Sequence, residues 1–243
     1  MDENKLLLGD AYKLIKDIPD RSVDLIITDP PYDIKGIHQG GGITKNKGVN
    51  FHKELNEKGL DKGIDLSILS EFCRVMKYIN IYIFCNKTQL YDYLNFFVKE
   101  RCCSFDMLIM EKEDPIPFCG THYLVDKEYC LYFWETGAAL HVPFDRGRTV
   151  FRFKKNVADK KDYLHPTIKP YHMVETLVLN SSKEGDLILD PFAGSGTSCL
   201  AAKRNNRRYI GFEIDEEFYK IASDRLSGFN IRGEMNLFDI EEN

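Results

Sequence analysis

Leu187-Ile188-Leu189-Asp190-Pro191-Phe192-Ala193-Gly194-Ser195-Gly196-Thr197 decides the fold of this chain. A short apolar run ends in a turn holding two glycines, and helical spacing resumes from Thr197 to Asn205. The pattern predicts a strand passed to a helix through a tight bend, where glycine lets the backbone run close beneath a ligand. Arg208 to Glu213 then reads as a second strand and Glu216 to Leu226 as a second helix. Glu213 ends its strand where it could accept hydrogen bonds from ribose hydroxyls, so the unit predicts a site for a nucleoside-bearing cofactor. A nicotinamide dinucleotide is the rival occupant, but that fingerprint places a third glycine where this chain has Cys199.

Working outward, Tyr171 to Ser182 has helical spacing and Gly185 marks its exit. His165-Pro166-Thr167-Ile168-Lys169-Pro170 opens that helix. Alone it is a proline-bounded helix start with Thr167 as a cap. Just upstream of the glycine turn, Thr167 and Lys169 become candidates for the cofactor's amino-acid tail. In the first half, Asp24 to Thr28 is a buried strand stopped abruptly by Asp29-Pro30-Pro31-Tyr32. Ser67 to Lys77 and Thr88 to Glu100 read as helices, and Ile79 to Cys85, Phe105 to Met110 and Tyr129 to Trp134 as strands. Strands separated by helices predict a doubly wound, mainly parallel α/β sheet in a single domain spanning 1–243.

Two stretches lack a period: the glycine- and lysine-rich 33–65, and 140–164. Long irregular segments in compact domains are commonly functional. Net charge is −5, yet Arg146 to Lys161 carries seven basic residues against one acid, leaving −11 on the remainder. That concentration marks Arg146, Arg148, Arg152, Lys154 and Lys155, with Lys45 and Lys47 of the earlier loop, as candidate phosphate contacts. The seven cysteines form no Cys-x-x-Cys pair, which fits reduced thiols and predicts no metal. No apolar run approaches a membrane span, and Met1-Asp2-Glu3-Asn4-Lys5 lacks a secretory profile, so the expectation is a cytoplasmic protein without a membrane partner.

Asp29-Pro30-Pro31-Tyr32 has a chemical reading beside the structural one of a strand-ending turn. A carboxylate and a proline-stiffened carbonyl can accept hydrogen bonds from an amino group on a flat ring, and a tyrosine face can stack on that ring.

With these segments in this order, the chain resembles the amino-methyltransferases of DNA, specifically the β group of adenine-N6 enzymes. Leu8-Gly9-Asp10, Glu71 to Lys77, Tyr82 to Cys85, His165 to Pro170, Asp190 to Thr197 and Glu213-Ile214-Asp215 carry the likeness alongside Asp29 to Tyr32. The resemblance implies a seven-stranded Rossmann-like class I methyltransferase sheet with one reversed strand. It implies S-adenosyl-L-methionine as methyl donor and double-stranded or single-stranded DNA as substrate, its target base flipped out. Asp29, Pro30, Pro31 and Tyr32 would be catalytic. Asp10, Ala11, Asp29, His165, Thr167, Lys169, Asp190, Phe192, Ala193, Gly194, Ser195, Gly196, Thr197, Glu213 and Ile214 would hold the cofactor. A homodimer and a companion restriction enzyme are partners the resemblance admits.

The chain departs from the family in leaving little room for a target-recognition region between Gly137 and Asp162. Alternative acceptors are cytosine N4, RNA or a glutamine amide, and a different class altogether is a catalytically silent DNA-binding subunit. Aspartate at position 29 favours adenine within the family pattern, and the intact glycines and Glu213 argue against silence.

Overall fold

The computed structural model describes residues 4–32, 63–115, 123–138, 141–154 and 168–229. Among the described residues, eight strands form one sheet: β1 (Lys5–Leu8), β2 (Leu25–Thr28), β3 (Asn80–Cys85), β4 (Ser104–Lys112), β5 (Lys127–Trp134), β6 (Val150–Phe153), β7 (Leu187–Asp190) and β8 (Arg208–Glu213). Their spatial order is β1-β8-β7-β2-β3-β5-β4-β6. Only β5 runs against the rest, pairing antiparallel with both β3 and β4. The helices are α1 (Ala11–Leu14), α2 (Ile68–Val75), α3 (Leu90–Leu94), α4 (Tyr171–Ser181), α5 (Thr197–Arg204) and α6 (Glu216–Leu226).

Period-two alternation in the strands feeds two apolar layers. Ile26, Ile81, Ile83, Leu131, Phe133 and Phe212 face one side, where Ile68, Leu69, Phe72 and Val75 of α2 and Tyr93 of α3 pack on them. Leu25, Ile27, Tyr82, Phe84 and Ile188 face the other, against Met173, Val174, Leu177 and Val178 of α4 and Leu200 to Ala202 of α5. Helices on both faces make the sheet doubly wound, as expected.

β2 and β7 are neighbours in the middle of the sheet, with Leu25 level with Ile188 and Ile26 with Leu189. The chain leaves β2 toward β3 on one side and leaves β7 toward β8 on the other. This is the switch point of a doubly wound sheet, where the departing loops open a crevice beyond the strand ends. Both quoted motifs lie there, one at each lip.

Four elements differ from the sequence reading. The sheet has eight strands rather than seven, because β6 lies inside 140–164, which was expected to be irregular. Val150, Phe151 and Phe153 interrupt the basic run and pair parallel with Ile109 to Lys112 along β4. The helix expected over Thr88 to Glu100 changes pitch, with α3 followed by a π-helical turn over Asn95–Glu100. Two short N-terminal elements, β1 and α1, went unread; Asp10 caps α1 by accepting from the Tyr12 N–H at 2.9 Å. No helix among the described residues is long and apolar enough to cross a membrane, and no described group of His, Cys, Asp or Glu is arranged to hold a metal.

Candidate functional site

The turn after β7 is made of backbone. Gly194 and Gly196 take φ values of 51° and 74°, a left-handed region that favours glycine. The Gly194 N–H donates to Glu213 Oε2 at 2.7 Å and the Asp215 N–H donates to Glu213 Oε1 at 2.8 Å. Glu213 therefore ties the turn to the end of β8 through both oxygens. The Gly9 N–H donates to the Glu213 carbonyl at 2.7 Å, which brings Asp10 to the same rim. Ile214 stands exposed beside Glu213, and the Phe192 and Tyr12 rings meet edge-on at 6.5 Å.

Cys199, where a dinucleotide site would have glycine, is accommodated from the strand side. A Cβ on Gly211 of β8 would lie 2.7 Å from the Cys199 sulfur, so close helix–strand approach is kept with the small residue moved to the strand. Asp190 is buried, and burial pushes its carboxyl up to about 7 against the Ser198 hydroxyl and Phe192 N–H, which would lower it. The Ser195 and Thr197 hydroxyls lie 3.2 Å apart. Arg225 of α6 reaches in from behind, donating to the Ser195 carbonyl at 2.6 Å and the Thr197 hydroxyl at 3.0 Å. Nothing in the local sequence around Arg225 announced that brace.

The turn after β2 is made of side chains. Lys169 Nζ lies 2.6 Å from Asp29 Oδ2 and 3.5 Å from Glu128 Oε2, and donates to the Tyr32 hydroxyl at 3.3 Å. It also sits 5.4 Å from the Tyr32 ring centre and 5.2 Å from that of Phe84. Lys112 Nζ closes the row at 2.7 Å from the other Glu128 oxygen. Burial opposes the Lys169 charge, but Asp29 and Glu128 outweigh it and hold the ammonium above its ordinary range. Burial would likewise raise Glu128, and Lys169 and Lys112 instead hold it down to about 2. Burial and the neighbouring carboxylates push the Tyr32 phenol well up. Gln89 donates to the Pro31 carbonyl at 3.1 Å, fixing the proline turn from the N-terminus of α3.

Thus the structure gathers Asp10, Asp29, Tyr32, Lys169, Asp190, Phe192, Gly194, Glu213 and Ile214 at one end of the sheet. Ala11, Pro30 and Ala193 are buried beneath them. Lys169, expected near the cofactor's tail, is paired with Asp29 and Glu128. His165 and Thr167 lie outside the described residues, as do Lys45, Lys47 and Lys155. The remaining basic candidates lie in and beside β6. Arg146 and Arg148 precede β6 and Lys154 follows it, so they fall at opposite ends of a strand. Arg152 is paired with Glu111 at 2.9 Å. Sequence reading missed Glu128, Lys112, Gln89, Tyr12 and Arg225.

The profile of the N6/N4 DNA methylases matches residues 23–224, which includes both turns. The chain belongs to this family of DNA methylases. Among its relatives, the DNA adenine methyltransferase YhdJ of Escherichia coli K12 is 28% identical, the match covering 91% of this methylase and 82% of that protein. Among solved structures, the M1.HpyAVI–SAM complex superposes with a TM-score of 0.67 at 24% identity, covering 91% of this methylase and 99% of that chain. The cytosine-N4-specific PvuII DNA methyltransferase gives 0.70 at 16% identity, covering 93% and 86%. These likenesses establish the shared fold of the methylase sheet.

Proposed function

We propose that this DNA methylase transfers a methyl group from S-adenosylmethionine to the exocyclic N6 of adenine. The observation that carries the reading is that Asp29 and the glycine turn follow the neighbouring strands β2 and β7 at the same end of the sheet, so that an acceptor for an amine adjoins a backbone cradle. The residues present suit the cofactor: a left-handed glycine turn, the Glu213 carboxylate on its rim, and exposed Ile214 with Phe192 and Tyr12 as apolar surface. When bound, that group supplies an already activated methyl carbon on a sulfonium, so no metal or covalent enzyme adduct is required.

The chain's own residues do the rest. The adenine amine is a weak nucleophile because its lone pair is delocalised into the ring. Asp29 and the proline-turn carbonyl accept hydrogen bonds from its N–H groups and favour a pyramidal nitrogen, while Tyr32 stacks on the base, a contact worth roughly 1–3 kcal/mol. Holding the nitrogen in line supplies much of the remaining rate. A base paired in a duplex has to swing out to reach this crevice.

A cytosine-N4 acceptor is the second reading, favoured by the N4 enzyme's fold likeness. Asp29 in the first motif position favours adenine. Digesting DNA from a methylation-free host expressing the chain, then separating the nucleosides, distinguishes them. N6-methyladenine is expected; N4-methylcytosine would replace the adenine assignment.

A further inference from the structure

The two carboxylate oxygens of Asp29 have different surroundings. Oδ2 lies 2.6 Å from the Lys169 ammonium. Oδ1 is withdrawn from water and has no hydrogen-bond partner among the described residues. A buried carboxylate oxygen left unpaired is costly, and one held in that state marks the place of an incoming donor. The ammonium decides which oxygen stays open. Lys169 offers three N–H donors and no acceptor, so the atom of residue 29 that faces it has to accept. Other contacts keep the ammonium there: it donates to the Tyr32 hydroxyl at 3.3 Å, lies 3.5 Å from Glu128 Oε2 and sits 5.2 Å from the Phe84 ring centre. Burial raises the Asp29 carboxyl, and Lys169 is the largest influence opposing that rise.

We propose that Lys169 is a positioning residue that makes a carboxylate obligatory at position 29, by claiming Oδ2 and leaving Oδ1 to accept from the target amine. This rests on the amino-methyltransferase reading above. A carboxylate accepts through both oxygens, so it serves the ammonium and the amine together. A carboxamide of the same shape has a single oxygen. The ammonium would take that oxygen, and the amide nitrogen would then face the amine, donor against donor. Lys169 in this way selects the residue type on a turn to which it does not belong.

Steady-state methylation by the full chain at saturating cofactor tests this with Asp29→Asn, alone and combined with Lys169→Met or Lys169→Gln. Asp29→Asn should lower kcat by about a hundredfold or more. Lys169→Met alone should also slow the enzyme, because it strips the buried carboxylate of its counter-charge. Added to Asp29→Asn, the same change should instead raise kcat by about tenfold or more, since the amide can then turn its oxygen to the amine. Lys169→Gln brings an oxygen that can accept from the amide nitrogen, so it should give the same recovery with less disturbance of the pocket. Loss of packing would not reverse its sign between the two backgrounds. An Asp29→Asn enzyme within about twofold of wild type, or no recovery in either double variant, would overturn the proposal. If wild type itself transfers no methyl to DNA, the underlying reading fails. An active wild type whose Asp29→Asn loss is not recovered sinks this inference alone.

Discussion

Two turns leave neighbouring strands at one end of the same sheet and are built from opposite materials. The β7 turn is shaped by glycines at positive φ and backbone N–H groups donating to Glu213. The β2 turn is shaped by charges, with Asp29 and Tyr32 held by Lys169, and Lys169 held in turn by Glu128. The first material suits a ligand that must be seated the same way on every turnover. The second leaves a buried carboxylate oxygen of Asp29 without a hydrogen-bond partner, which suits an incoming donor. Damage to the two turns should therefore separate binding from chemistry.

The largest separation is expected from Asp29→Ala, which should reduce methyl transfer by about a thousandfold or more while leaving cofactor binding within a few-fold. Scintillation counting of transferred methyl and calorimetry on one preparation check it, and a parallel loss of cofactor affinity would erase the contrast. On the other turn, Gly196→Ala places a Cβ 3.0 Å from the Ala222 Cβ at a φ of 74°. Weakened cofactor binding is expected, with stability lower by about 1–2 kcal/mol from the left-handed backbone alone. An alanine variant that binds and melts like wild type would mean the turn is less constrained than its angles indicate.

The turns should also respond to pH with opposite signs. Glu128 is held at about 2 in the folded chain, so its contribution to stability is present above about 4.5 and lost as pH falls toward 2. Asp190 is raised to about 7, so the folded state favours its protonated form and stability declines as pH rises from about 4 to 7. Thermal melting across pH should show Asp190→Asn removing the decline and Glu128→Gln reducing the acid-side loss. The same direction of change in both variants would contradict the assigned shifts.

Smallest is the effect of the basic segment. Lys154 lies at the end of β6 nearer the crevice and Arg148 at the far end. Lys154→Gln should lower the salt slope of DNA binding by about one, and Arg148→Gln should leave it unchanged. Equal effects would restore a continuous phosphate-facing loop.

The same contrast explains what the sequence made legible. Glycine spacing and the Asp-Pro-Pro stop act on their own few residues, so the strand–turn–helix unit around Asp190 and the strand ending at Asp29 could be placed from sequence, and β8 and α6 fell on the expected residues. The reversed strand came from resemblance. The bonds that give the β2 turn its character join residues far apart: 137 positions from Tyr32 to Lys169 and 58 from Pro31 to Gln89. No local pattern encodes such partners. β6 was hidden because its four residues are too short a run to stand out within a basic segment, although Phe151 and Phe153 alternate with exposed Val150 and Arg152. Arg225 is buried against the Ser195 carbonyl, 30 positions away.

The most direct test is a crystal structure of the chain with sinefungin, whose amine stands where the transferable methyl would be. The account predicts the nucleoside over Gly194 to Gly196 beside Glu213, and that amine directed at the acceptors of Asp29 and the proline turn. Ligand density elsewhere on the sheet, or an amine facing away from Asp29, would contradict it.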